Sequence, residues 1–121
     1  MAEQFNLTVN AGSTTEIEFI HKTDPATPKD LTAWTARMQV RPAYNAPSTL
    51  MSFDSDGNGL VIDGPQGKVT LTISPSDTNG IPAPAAGRVL YYDLEILNGV
   101  GVVYRTFEGE LLLRPQITIT E

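Results

Sequence analysis

Hydrophobic and polar residues alternate along most of the chain with a period of two, rather than the 3.6 of an amphipathic helix. The clearest case is the segment LTAWTARMQVR, in which Trp34, Ala36, Met38 and Val40 fall on one face and polar residues separate them. This pattern predicts a β-strand with one buried face and one solvated face.

The same alternation recurs in TEIEFIH, KVTLTIS, VLYYDLEIL and VVYRTFEGELLL. The apolar residues in phase are Ile17 and Phe19, then Val69, Leu71 and Ile73, then Leu90, Tyr92, Leu94 and Ile96, and finally Val103, Phe107 and Leu111. Shorter runs, FNLTV, LMSF, LVI and QITIT, add further strands. The core is therefore expected to include Trp34, Met38, Leu71, Tyr92 and Leu94.

Segments rich in Gly, Pro, Asn and Asp separate these strands at the spacing of about 8–12 residues that is typical of antiparallel all-β domains. We therefore predict one domain over residues 1–121, an all-β, single antiparallel immunoglobulin-like β-sandwich of about eight strands. One short helical turn is expected near 75–80, where Ser74 is placed to cap, Pro75 to open the first turn and Gly80 to end it. The hydroxyl of Tyr91 or Tyr92 is a candidate for holding the Pro- and Gly-rich loop before its strand.

Composition narrows the possible functions. The chain of 121 residues is 40% hydrophobic, which suits a single packed core, and it has no cysteine for a disulfide or thiolate site. Its net charge of −6 disfavours binding to the phosphate backbone of nucleic acids. No apolar run is long enough to cross a bilayer, and the first residues lack the pattern of a signal peptide. We expect a soluble protein made in the cytoplasm, without nucleic-acid or membrane partners.

The segment DSDGNG is the one candidate for a metal site. Asp54, Asp56 and Asn58 occupy alternate positions before Gly59, as in the calcium loop of helix-loop-helix proteins. The position that should supply a bidentate glutamate is Pro65, however, and both flanks have strand patterns. The favoured interpretation is a glycine-rich hairpin turn, with no bound cofactor or metal.

No motif indicates catalysis. His21, the single histidine, lies at the end of a predicted strand without a recognised nucleophile motif. The pairs Asp93 with Glu95 and Glu108 with Glu110 each share a strand face, opposite the apolar residues, which is typical of a solvated surface. We predict that the protein is not an enzyme.

Three segments together resemble a group of small structural proteins of tailed bacteriophages. They are KDLTAWTARMQVRP, GLVIDGPQGKVTLTISPSDT and YYDLEILNGVGVVYRTFEGELLLRPQIT, and the resemblance spans residues 29–120. The chain departs from the family at Ala33, where glycine is usual, and in the stretch NGVGVV, which suggests a longer turn. More distantly, the chain is similar to the N-terminal sandwich domain of phage baseplate upper proteins.

The resemblance implies a virion structural protein, assembled in the host cytoplasm. It would be a tail adaptor, collar or baseplate component that joins tail parts or fibres through contacts with other virion proteins, as a symmetric homo-oligomer. A capsid decoration protein and a carbohydrate- or calcium-binding module are the alternatives. Two stiff Pro-rich loops supply the interface candidates, Tyr44 and Ile81.

Overall fold

The structure, a computed structural model, describes residues 2–24 and 26–115, and it is all-β as predicted. Within these residues there are eleven strands and one short helix. The strands are β1 (Glu3–Gln4), β2 (Leu7–Asn10), β3 (Thr15–Ile20), β4 (Lys22–Asp24), β5 (Thr27–Pro28), β6 (Thr35–Arg41), β7 (Met51–Asp54), β8 (Leu60–Asp63), β9 (Lys68–Ile73), β10 (Arg88–Leu97) and β11 (Val103–Arg114). The expected strand QITIT, residues 116–120, lies outside the described residues.

The larger sheet has six strands and is mixed, so the expectation of a purely antiparallel fold is wrong. Its central strands run β11, β10, β6, β7 and are antiparallel, but β1 and β2 both pair in parallel with β11 along its other edge. Parallel neighbouring strands need a long connection between them, and here most of the chain lies between β2 and β11. Alternation of residues within one strand carries no information about this pairing.

The smaller sheet is the antiparallel set β3, β9, β8, and β4 with β5 forms a separate two-stranded hairpin. Side chains from the two main sheets contribute to one hydrophobic core cluster. Phe19 of β3, for example, lies 5.1 Å from Phe107 of β11 and 6.2 Å from Tyr92 of β10 between ring centroids. Burial of apolar residues shared between the sheets is the main stabilising term expected for a chain without disulfides.

The helical turn is confirmed as α1 (Pro75–Thr78). Ser74 is its N-cap residue, and the carboxylate of Asp77 accepts hydrogen bonds from the backbone N–H of Ser74 at 2.8 Å and from its hydroxyl at 3.0 Å. Gly80 follows with φ of +86°, a left-handed conformation that ends the turn.

Four of the five residues expected in the core, Met38, Leu71, Tyr92 and Leu94, are buried. The fifth, Trp34, is only partly buried, because it precedes β6 and packs against the margin of the core. Its ring stacks on Tyr104, with the two centroids 5.8 Å apart.

A β-bulge reverses the alternation of buried and exposed residues in β11. It explains why the burial of one strand residue, Val103, was predicted wrongly. Leu94 pairs with Phe107 and Glu95 pairs with Arg105, so that Thr106 has no residue opposite it. An extra residue in one strand exchanges the two faces beyond it. Val103, predicted to be buried in phase with Phe107, is therefore exposed.

Candidate interaction surface

The DSDGNG loop connects the two sheets instead of closing a hairpin. It runs from β7 in the larger sheet to β8 in the smaller one, which corrects the hairpin expected from the sequence. The Asp54 carboxylate accepts a hydrogen bond from the backbone N–H of Asp56 at 2.9 Å, and the side-chain amide of Asn58 donates to the carbonyl of Ser52 at 3.3 Å. The first of these bonds is that of an Asx turn, and the second ties the loop back to β7. No group of three or more potential acidic, histidine or cysteine ligands is found within residues 2–24 and 26–115.

His21 is buried between the sheets. Its Nδ1 lies 3.1 Å from the carbonyl of Gly67, which can only accept, so Nδ1 carries a proton. Nε2 lies 2.9 Å from the hydroxyl of Thr106, the bulged residue, and in the neutral ring it accepts from that hydroxyl. Burial is the main cause that lowers the pKa of His21, and the bond to Gly67 acts in the opposite direction. The histidine thus links the smaller sheet to the bulge of β11.

The acidic pairs of β10 and β11 lie on the outer face of the larger sheet, among arginines. Arg105 Nε is 3.2 Å from Asp93 Oδ2, and Arg37 Nε is 2.7 Å from Glu95 Oε1. Burial is the main cause that raises the pKa of Asp93, and Glu95 adds to it. Such partly exposed ion pairs contribute little to stability, about 0–1 kcal/mol.

The two interface candidates from the sequence have different environments. Tyr44 is 69% exposed and its ring packs on Tyr91, with the centroids 4.8 Å apart. Ile81 is only partly exposed and packs against the core. The two residues line different surface depressions, so the structure does not bring them together.

The turn between β10 and β11 is fixed by one asparagine. The Asn98 side-chain oxygen accepts hydrogen bonds from the backbone N–H groups of Val100 and Val102, each at 3.0 Å. The backbone of Asn98 also donates to the Val102 carbonyl and accepts from Gly101. Gly101 has φ of +89°, a conformation that strongly favours glycine. These bonds hold the turn in one shape.

This ordered turn exposes a group of apolar side chains, Val100, Val102, Val103 and Tyr104, which we call the tip patch. Val100 is 84% exposed, and the other three are also exposed. The base of the patch is Trp34, which stacks on Tyr104 and lies 5.1 Å from Lys29 Nζ. These exposed apolar side chains at one end of the larger sheet are the candidate interaction site.

The tip patch was not predicted from the sequence, because NGVGVV was interpreted only as a longer turn. Two valines within the turn, Val100 and Val102, followed directly by Val103 at the start of β11, were a usable signal, since turns are normally built from polar residues. Val103 was instead assigned to the core, and the bulge at Thr106 that exposes it has no signature in the alternation.

Comparison with protein-family models gives no match, and a search of curated proteins finds no relative at a significant level of similarity. Within residues 2–24 and 26–115, no helix is long and apolar enough to span a membrane.

Proposed function

We propose that the protein is a structural component of a tailed-bacteriophage virion, an adaptor, collar or baseplate piece that attaches tail parts or fibres through protein contacts. The observation that carries this proposal is the tip patch, in which a hydrogen-bonded turn holds Val100 and its apolar neighbours toward solvent. Its occupant is a neighbouring structural protein of the particle.

Because the turn is held in one conformation, its exposed apolar side chains are better explained as a docking site for another protein than as residues whose exposure has no role. A preordered loop loses little conformational entropy when it binds, so more of the contact free energy appears as affinity. Asn98 provides that order through four hydrogen bonds within residues 98–102.

The small size of the patch favours repeated contacts in a particle over a single strong pair. Four side chains form a patch of at most a few hundred Å², whereas a stable interface between two proteins buries about 1,200–2,000 Å² in total. Weak contacts become effective when a symmetric assembly makes many of them at once. A homo-oligomer within the virion is part of the proposal.

The fold proposed for this role is an immunoglobulin-like sandwich. The two sheets that share one core, and the short helix after β9, support it, together with the phage motifs in the sequence. The role is non-catalytic, supported by the environment of His21, whose two ring nitrogens are both occupied in structural hydrogen bonds.

The experiment is quantitative mass spectrometry of purified particles from a phage that encodes the chain. We expect the protein in the virion at about six or twelve copies, the number for one ring at the tail. Several hundred copies would instead identify the alternative, a capsid decoration protein, and absence from the particles would overturn the virion proposal.

A further inference from the structure

A pocket of about 250 Å³ on the outer face of the larger sheet is separate from the tip patch. Its floor is formed by residues of β6, β10 and β11, and Tyr44 in the loop after β6 forms a wall. None of the four tip-patch residues lines it.

The wall is an aromatic surface held in place. Tyr44 packs on Tyr91 of β10 with an angle of 36° between the rings. The loop that carries it is tied to β6, because Arg41 Nη1 donates to the Ala46 carbonyl at 2.6 Å, and the Ala46 N–H donates to the Ala43 carbonyl at 3.1 Å. Tyr44 is 69% exposed, which leaves ring surface for a ligand.

The floor is polar but balanced in charge. Arg105 contacts Asp93 at 3.2 Å through Nε and Glu108 at 3.5 Å through Nη1, and Arg41 Nη2 donates to Gln39 Oε1 at 2.9 Å. The lining therefore holds two guanidinium groups and two carboxylates. This balance disfavours phosphate, which requires excess positive charge, and equally disfavours a cationic ligand.

These groups retain hydrogen-bonding capacity for a ligand. Guanidinium has five N–H donors, of which the two contacts of Arg105 use a part, and each carboxylate can accept about four hydrogen bonds. Closely spaced donors and acceptors beside an aromatic ring suit a neutral ring that carries hydroxyl groups on its edge and C–H groups on its face.

We propose that this pocket binds a neutral monosaccharide unit. The apolar face of the sugar packs on Tyr44, and its hydroxyls donate to Asp93 and Glu108 and accept from Arg105. The volume is just below the range of about 300–1,000 Å³ for pockets of drug-sized ligands, which suits a single sugar ring. This site is independent of the virion role.

A peptide ligand is less well matched to the lining. Five of the nine lining residues are charged or carry an amide, namely Gln39, Arg41, Asp93, Arg105 and Glu108. An apolar peptide side chain in the pocket would remove water from these groups without replacing the hydrogen bonds that the water makes to them.

The test is a titration of the ¹⁵N-labelled protein with the methyl glycosides of glucose, galactose, mannose and N-acetylglucosamine, followed by amide chemical shifts. We expect at least one sugar to shift the amides of Tyr91 and Asp93, with a dissociation constant on the order of 1 mM. Tyr44→Ala should weaken binding at least about tenfold, and Tyr44→Phe, which keeps the ring, should bind nearly as the wild type does. Tyr104→Ala removes an exposed tyrosine outside the pocket and is the matched control.

Glu108→Gln tests the polar floor independently of the loop, and it should also weaken binding. The proposal is overturned if none of the four glycosides shifts these amides, or if folded Tyr44→Ala and Glu108→Gln both bind as the wild type does. Shifts at the same amides with a tyrosine- and proline-containing peptide, but with no sugar, would identify a peptide site and equally overturn it.

Discussion

The hydroxyl of Tyr92 donates a hydrogen bond to the backbone carbonyl of Phe5, 87 residues away in the sequence. Gly109, which pairs with Tyr92 in the sheet, leaves the space that Phe5 occupies, since a Cβ at this position would lie 2.5 Å from the Phe5 oxygen. Phe5 lies between β1 and β2, so this contact anchors the parallel edge of the larger sheet. The hydroxyl was expected to hold the loop before β10, and it holds the N-terminal segment instead.

Tyr92→Phe tests this anchor. Removing the hydroxyl leaves a partly buried carbonyl without its partner, and we expect the free energy of unfolding to fall by about 1–3 kcal/mol in urea denaturation. Tyr91→Phe is the control, because Tyr91 lies on the outer face and should change stability by less than about 0.5 kcal/mol. Equal stabilities of Tyr92→Phe and the wild type would contradict the anchoring role.

The protein should be more stable with glycine in place of Ala33. Ala33 has φ of +68°, the one positive value of a non-glycine residue within residues 2–24 and 26–115, in a turn closed by the Trp34 N–H on the Leu31 carbonyl. Left-handed backbone costs a residue with a Cβ about 1–2 kcal/mol, and the greater freedom of unfolded glycine offsets part of the gain. We expect Ala33→Gly to stabilise the fold by about 0.5–1 kcal/mol.

The matched control for this substitution is Ala85→Gly. Ala85 is also exposed and also lies in a turn, closed by the Gly87 N–H on the Pro84 carbonyl, but its φ is not positive. Ala85→Gly should lower the free energy of unfolding by about 0.4–1 kcal/mol, as measured by thermal or urea denaturation. If Ala33→Gly destabilises the protein as much as Ala85→Gly does, the turn is not strained at Ala33.

His21 should make stability depend on pH. Because burial lowers its pKa in the folded state, the unfolded chain binds more protons as pH falls below about 6.5. Its contribution to stability is complete above the unfolded pKa of about 6.5 and is lost as pH falls below that value toward the lowered pKa of the folded state. The raised pKa of Asp93 has the opposite effect at lower pH, because the folded protein then binds more protons than the unfolded chain and gains stability as pH falls. We expect the decline between pH 7 and 5 to be smaller in His21→Gln, as measured by urea denaturation at each pH, and parallel profiles would argue against the histidine as its source.

Calcium should have little effect on the loop at residues 54–59. Its Asp54 and Asn58 side chains are engaged in bonds to the backbone, so we expect calcium or EDTA to shift Tm by less than about 2 °C. A rise of about 5 °C or more with calcium would show specific binding and would restore the ion-site interpretation.

Alternation in the sequence predicted the strands well, because burial of one face imposes a period of two on residues such as Met38 and Leu94. It could not predict features set by pairing between distant strands. The parallel β1 and β2, the bulge at Thr106 and the passage of residues 54–59 between sheets all depend on partners far along the chain. The bulge exposes Val103 of the tip patch, whose burial was for this reason predicted wrongly, whereas the exposure of Tyr44, in a Pro-rich loop outside the strands, does not depend on strand pairing.

Incorporation of a tip-patch variant into virions tests whether the protein assembles through the tip patch. Val100→Asp combined with Val102→Asp places charge on exposed positions, so the isolated domain should remain folded while contacts in the particle would bury unpaired charge. Val61→Asp is the matched control, since Val61 is 68% exposed on the smaller sheet. By mass spectrometry of purified particles, we expect the double variant to be depleted at least about tenfold relative to the wild type and to Val61→Asp. Normal incorporation of the folded double variant would contradict assembly through the tip patch.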